Sequence, residues 1–429
     1  MLTEYKLPFG KKTISFNPPP GYKIQLIEPK ARNAPHNQCD IIRRALNNPI
    51  NSPNLRELTR HAKKILIITN DNTRPMPSRL TIPAIIESFY YSETSYDITI
   101  LIATGLHRKM TSEEMDEQFG LKLTSRYNFV NHVATDESKL AYRGMLSTGT
   151  ELWLNKLLGE SDLIISEGFI EQHFFAGYSG GRKSIMPGVA GVKTIMRNHC
   201  PANIASERAT GANLDGNPIH IECTEAAKMA GLSFILNVAL NDKKEITHAW
   251  AGHPVDAHLV GCEYVKEAMS VSVHPTDIVI TSNNGYPLDR NLYQAVKGID
   301  TAARVVREGG VIIVAAACSD GVGHTYFRDL LQSCSTREQL YQKMDEPTSQ
   351  LDKWQVQILV KAMRKSTIIL VCETLTKDDV ERMQLVYAGS MDEAFETALK
   401  RVGKDASVSI IPEGPTTIPI IAERDWLSS

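Results

Sequence analysis

The feature that most restricts how this chain can fold is a recurring unit in which a short run of branched apolar residues gives way to a loop dense in charge, glycine or proline. KILIIT runs into NDNTRP, DITILIA into TGLHR and SDLIIS into EGFIEQHFFAGYSGGRKS, each run preceded by a polar or helical stretch. Strands that are apolar throughout are buried on both faces, which is the pattern of a parallel sheet covered by helices. A second series follows, with TDIVITS, GVIIVAAA and STIILVCE separated by helical segments such as TREQLYQKM. At 429 residues the chain is too long for one hydrophobic core. We therefore expect an α/β protein of two α/β domains with largely parallel sheets. The opening KLPFGKKTISFN reads as short strands joined by a turn, Asp256 to Met269 as a helix, and the stretch from Ser270 to Pro275 as a linker.

Composition serves mainly to exclude. Lys and Arg number 47 against 49 Asp and Glu, a formal charge of -2, so the chain carries no basic field for nucleic acid or anionic lipid. No apolar run approaches the roughly 20 residues of a membrane helix, and MLTEYKLPFGKKT lacks the apolar stretch of a secretory signal, so the expected location is cytoplasmic. The seven cysteines are scattered and never spaced as CxxC, which predicts reduced thiols rather than disulfides or a thiolate metal site. Cys200 is read as incidental packing.

In an open parallel sheet, ligands bind beyond the carboxyl ends of the strands, so the loops after the apolar runs hold the candidate residues. In HFFAGYSGGRKS, Gly177, Gly180 and Gly181 would let backbone amides approach an anion, with Arg182 and Lys183 as cations. It is not a Walker loop, because Arg182 stands where that motif needs glycine. His107 and His173 lie in such loops; on spacing alone His107 is as readily structural as catalytic, and His173 leans slightly towards a functional role. Arg74 and Lys297 offer a charge-assisted donor to a carboxylate, although surface arginines and lysines are commoner. Trp354 reads equally as a core residue, and His199 beside Cys200 as a structural histidine.

Taken together, GFIEQHFFAGYSGGRKSIMPG, the Asn198–His199 pair after it, DNTRP, TGLHR and GYPLDRNLYQAVKG resemble the lactate racemase family, in order and over nearly the whole chain. The resemblance implies an active site in the cleft between the domains, with residues 1–270 carrying the cofactor lysine and the acid/base histidines, 271–410 adding substrate and cofactor contacts, and 411–429 a tail returning to the first domain. It makes Lys183 the residue bound through a thioamide to a nickel pincer nucleotide, the nickel(II) complex of pyridinium-3,5-bisthiocarboxylic acid mononucleotide. His199 becomes the protein ligand to nickel, beside two sulfurs and a pyridinium carbon of the cofactor. His107 and His173 become the paired acid/base residues. Asp71, Asn72, Thr73, Arg74, Tyr293, Gln294 and Lys297 border cofactor and substrate, and Trp354 packs near the pyridinium. The implied partners are a small 2-hydroxy acid and the enzymes that make the cofactor.

The chemistry explains the need for such a group. A hydrogen on the hydroxyl-bearing carbon of a 2-hydroxy acid is far too weakly acidic for an imidazole of pKa about 6.5. Removing the hydroxyl proton while hydride leaves carbon gives a planar 2-keto acid, and return of hydride to the other face inverts the centre. The substrate side chain is open: Asn72 and Arg290 have no assigned place in a lactate-specific pattern, and Arg290 is either an added cation for a larger acid or a surface residue capping the next helix. Two rivals stand beside this reading. A nicotinamide-dependent 2-hydroxyacid dehydrogenase would need a GxGxxG loop that no early apolar run provides, and a two-domain protein that merely binds an anion or nucleotide would have no use for paired histidines.

Overall fold

The computed structural model describes residues 4–30, 33–90 and 95–422. The chain divides into two compact units, one of residues 31–199 and 208–267, the other of 1–30, 200–207 and 268–429.

The first unit is built on six strands: β1 Lys64–Asn70, β2 Asp97–Ala103, β3 Asn128–Asn131, β4 Leu163–Phe169, β5 Leu232–Leu240 and β6 Ile246–Gly252. Their order across the sheet is β6-β5-β4-β1-β2-β3. All neighbours are parallel except β5 and β6, which run antiparallel at one edge. The helices that matter below are α1 Ser78–Glu87, α2 Val192–Asn198, α3 Pro218–Met229 and α4 Asp256–Met269. The apolar runs seen in the sequence form the central strands, whose residues Ile65, Ile67, Ile100, Ile102, Ile165 and Phe234 join one buried core. The strand order reverses at β1: the chain proceeds outward through β2 and β3, then returns to place β4 on the other side. At such a reversal the loops leaving the two central strands diverge and leave a crevice at their carboxyl ends.

The second unit repeats the scheme with β7 Thr276–Ser282, β8 Val306–Ala315, β9 Thr367–Val371, β10 Val386–Ala388 and β11 Val408–Ile411, all parallel, in the order β10-β9-β8-β7-β11. Its reversal lies between β7 and β11. Helices α5 Leu292–Val305 and α6 Lys353–Lys365 pack on each other within this unit.

Three segments sit elsewhere than the sequence reading puts them. Residues 1–30 belong to the second unit: the hairpin of Tyr5–Phe9 and Lys12–Phe16 buries Leu7, Phe9 and Phe16 among Ile278, Val311 and Phe395, and Ile24–Leu26 pairs beside β11 as the edge strand. Residues 270–273 are a strand rather than a linker, and they pair in parallel with Ile418–Ile421, so the described part of the tail stays in the second unit instead of returning to the first. A run such as IPII needs a ladder partner, and pairing between residues about 150 apart leaves no local trace in sequence. The short helix Pro201–Ala205 also belongs to the second unit, with the Gln357 amide donating to the Pro201 carbonyl at 3.4 Å. The helix expected over Asp256 to Met269 is present with those bounds. All seven cysteines are free thiols, and among the described residues no helix is long and apolar enough to cross a membrane.

A buried histidine ties the loop after β3 to the strand region beyond it. His132 donates from Nε2 to the Ala190 carbonyl at 2.9 Å, and its Nδ1 accepts from the Asn155 amide at 3.1 Å. This arrangement needs the neutral ring, and burial pushes the pKa from 6.5 down to about 4. Below pH 6.5 the unfolded chain binds a proton that the folded one refuses, so folding stability falls as pH drops from about 6.5 towards about 4. The effect is on the order of 3 kcal/mol at the low end. Denaturant titrations across that window should give a steeper fall for the native chain than for His132→Gln, and parallel curves would refute this role for the imidazole.

Candidate active site

The residues singled out in the first unit follow the carboxyl ends of β1, β2 and β4, the three adjacent parallel strands around the reversal, except His199, which follows α2. Asp71 follows β1 and is 3% exposed. One carboxylate oxygen, Oδ1, accepts from the Thr73 amide at 3.1 Å and the Thr73 hydroxyl at 2.5 Å, and the other meets His107 Nδ1 at 2.7 Å. His107 itself sits in a tight turn after β2 closed by its amide on the Thr104 carbonyl. Burial pushes the Asp71 carboxyl up, but the charge and hydrogen bond of His107, with Arg74 and Thr73, hold it below its ordinary value. An ionised Asp71 accepts only, so Nδ1 of His107 carries a proton and Nε2 of the neutral ring carries the lone pair.

Glu167 of β4 supports this loop from beneath. It is fully buried and accepts the hydroxyls of Thr69 and Ser78 at 2.5 Å each and that of Thr81, so it clamps the end of β1 to the first turns of α1. Desolvation raises its pKa even though the three hydroxyls pull it down. Between the clamped points lie Asn72, whose side chain reaches Glu114, and Arg74, whose Nη1 is buried and has no protein partner.

The loop after β4 folds into a two-residue hairpin, Gln172–His173 with Gly177–Tyr178, and then a single 3-10 turn over Gly181–Ser184. The glycines here permit close packing. A Cβ on Gly180 would lie 2.7 Å from the Asn237 side chain, and one on Gly181 would lie 2.8 Å from the His258 ring. Both take positive φ, 74° and 53°. The Gly181 amide donates to Asn237 Oδ1 at 2.9 Å, and so does not serve the anion cradle expected from sequence. Nor does Arg182: it is 3% exposed, donating to the Ala176 carbonyl at 2.7 Å, with Nη1 packed 3.0 Å from Nε2 of His258, which itself donates to the Ser179 carbonyl at 2.8 Å. Its guanidinium is an internal brace because the turn points it into the unit, leaving Lys183 as the half-buried cation of the motif.

Phe175 organises what remains. Its ring lies 4.5 Å from that of His173 and 5.0 Å from that of His199, edge to face in both cases, and 5.6 Å from the Lys183 amine. His173 also stacks on Phe174 and accepts the Ala176 amide at Nδ1. His199 caps α2 and is buried; burial and the nearby Lys183 charge push its pKa down to about 3, so the ring is neutral at pH 7. The two halves of the site are joined by backbone, since the Gly105 amide in the His107 turn donates to the Gly188 carbonyl and the Gly188 amide to that of Lys183.

Among the described residues no three His, Cys, Asp or Glu side chains gather as a metal-binding set. A metal at His199 would therefore find at most one further His, Cys, Asp or Glu donor among the described residues and would need other donors to complete its shell. A buried neutral imidazole and a lysine amine against the same aromatic ring suit a tethered, metal-carrying organic group.

The remaining candidates belong to the second unit. Tyr293, Gln294 and Lys297 lie in the first turns of α5, after the β7 loop. Tyr293 stacks on His324 with centroids 3.9 Å apart, and Gln294 Oε1 is buried without a protein partner. Trp354, in α6, is 5% exposed. Arg290 does not cap α5: Asn291 does, accepting the Gln294 amide at 3.0 Å, and Arg290 pairs with Asp320. The sequence reading gave no role to Glu167, Asn237 or Phe175. The signal for the first two was a polar residue inside an apolar run, SEGF and FILNVAL, and for Phe175 only its place between the histidine and the glycines.

Comparison with known proteins then gives two matching family models, the lactate racemase N-terminal domain over residues 9–211 and the lactate racemase C-terminal domain over 271–419. The curated lactate racemase of Thermoanaerobacterium thermosaccharolyticum is 40% identical over 423 residues, 97% of this chain and 99% of that protein. The lactate racemase of Lactiplantibacillus plantarum is 40% identical over 415 residues, 95% of this chain and 97% of that one. The solved lactate racemase apoprotein from T. thermosaccharolyticum superposes with a TM-score of 0.91 at 39% identity, covering 97% of this chain and all of that one. A Thermotoga maritima crystal structure, at TM-score 0.69 and 19% identity over 92% of this chain and all of its own, shares the fold.

Replacing Asp71 by alanine strips His107 and Thr73 of their acceptor and should cost about 1–3 kcal/mol of stability at pH 7. Because Asp71 titrates below its ordinary 3.8 in the folded chain, that cost is present in full above the ordinary value and shrinks as pH falls through the lowered one. Urea unfolding of both proteins at several pH values reads it; a cost that does not shrink in acid would contradict the charged pairing.

Proposed function

This chain belongs to the lactate racemase family and is an isomerase, and from that premise we propose that it inverts C2 of lactate or a related 2-hydroxy acid by reversible hydride transfer, using His107 and His173 as alternating acid and base. The observation that carries the reading is the convergence after β1, β2 and β4: a histidine oriented by a buried carboxylate, and a second histidine sharing one aromatic ring with a lysine and a buried neutral imidazole.

The nickel pincer nucleotide, tethered at Lys183 with His199 as the protein's ligand to nickel, would supply a reversible hydride acceptor. The chain's own part is proton management and orientation. His107, with Nδ1–H on Asp71, presents Nε2 to the hydroxyl proton of one enantiomer; once the centre is planar, His173 in its protonated form returns a proton to the same oxygen on the opposite course. The reverse direction exchanges the roles, so activity needs one ring neutral and one charged and should give a bell-shaped dependence on pH. Arg74, next to Asp71, is the proposed carboxylate donor of the first unit, its buried Nη1 lacking a protein acceptor. From resemblance, Asp71, Asn72 and Thr73 border the same cofactor, and Tyr293, Gln294, Lys297 and Trp354 of the second unit supply further cofactor and substrate contacts. The proposed location is cytoplasmic, and the cofactor-synthesis enzymes are the maturation partners.

Protein produced together with those enzymes should carry nickel, show added mass on the peptide containing Lys183, and interconvert single enantiomers of lactate on chiral chromatography. His107→Ala and His173→Ala should each lose about 100- to 10,000-fold in rate. Fully active material without nickel and without an adduct on Lys183 would end this reading.

A further inference from the structure

The buried side chains behind His199 form a directed hydrogen-bond chain that reaches well outside the family motif. His199 Nδ1 lies 2.9 Å from Asn198 Oδ1, the Asn198 amide nitrogen lies 2.5 Å from Glu222 Oε2, and Glu222 Oε1 accepts the hydroxyls of Thr150 at 2.6 Å and of Thr148. Glu222 comes from α3 and is 1% exposed, and Asn198 is fully buried. From these contacts we infer that Glu222 is a positioning residue for His199, which it holds in a single tautomer through Asn198. The inference rests on His199 being the nickel ligand proposed above.

Which groups can donate fixes the direction of the chain. A carboxylate accepts and never donates, so Asn198 must turn its NH2 towards Glu222 and therefore its carbonyl oxygen towards the imidazole. That oxygen in turn only accepts, so the proton of the neutral ring sits on Nδ1 and the lone pair on Nε2. A ligating histidine needs this arrangement, one nitrogen anchored through its N–H and the other bearing the lone pair, and such partners commonly change metal affinity by about 10- to 100-fold. The charge on Glu222 is met by three donors, two threonine hydroxyls and the asparagine amide, so burial leaves neither of its oxygens unsatisfied.

Glu222→Gln tests this with almost no change of shape. The threonines still donate to the glutamine oxygen, its NH2 now faces Asn198, and Asn198 has to rotate its amide and turn NH2 towards the imidazole. His199 is then driven to the Nε2–H tautomer, which has no lone pair at that nitrogen. Adding Asn198→Asp restores the original direction, because the glutamine donates to the aspartate and the aspartate accepts from Nδ1–H. In nickel-free full-length protein, nitrogen-15 histidine shifts assigned with a His199→Gln control should report Nδ1–H in the native chain, Nε2–H in E222Q and Nδ1–H again in the double variant. After maturation, nickel retained through a chelator wash should fall about 10- to 100-fold in E222Q and recover in the double variant, while the adduct mass at Lys183 persists in all three. A native tautomer in E222Q, or no recovery in the double variant, overturns the relay. Nickel absent from the matured native protein overturns the function proposed above, whereas nickel present there and fully retained by E222Q overturns only the relay.

Discussion

The arrangement of the site depends on one constraint, the pairing of β1 with β2 on one side and β4 on the other, all in parallel. Parallel neighbours end together, so the loops that leave them leave from one edge. Asp71, His107 and the hairpin bearing His173 are separated by tens of residues in sequence and become neighbours because their strands are. The same reversal recurs in the second unit, where the loop after β7 leads into Tyr293, Gln294 and Lys297.

Parallel pairing alone gives proximity; orientation comes from buried polar groups placed directly behind the site. Glu167 fixes the start of α1 against the end of β1, Asn237 holds the Gly181 amide, Asp71 holds His107, and Asn198 with Glu222 holds His199. Each of these costs desolvation and is retained only with its partners in place, so the network has few alternative arrangements. The removal of one partner is correspondingly expensive, and its effect appears in the geometry of a side chain one bond away. Arg182 follows the same logic: a cation of the motif is spent on the interior, where it braces the turn that presents Lys183.

Much of this was legible in the residues themselves. The apolar runs gave the central strands, the loops after them gave the candidate positions, and the helix over Asp256–Met269 had its bounds. Where reading failed, the missing information was non-local. The N-terminal hairpin and the IPII strand carry no mark of which sheet they join, since a strand's partner is chosen by burial and ladder bonds across the whole chain. Arg182 and Lys183 are adjacent and chemically alike; only the direction of a 3-10 turn makes one a buried brace and the other a half-buried amine.

What the sequence determined by itself was the class of fold, the family and the candidate positions for the site, because apolar periodicity and motif order are local properties written in consecutive residues. What the tertiary structure decided was which side chains are oriented and by what: the tautomer of His107 through Asp71, that of His199 through Asn198 and Glu222, the shared ring of Phe175, and the assignment of the N-terminal strands to the second unit. Those are matters of donor, acceptor and distance between residues far apart in the chain, and they exist only once the chain has closed upon itself.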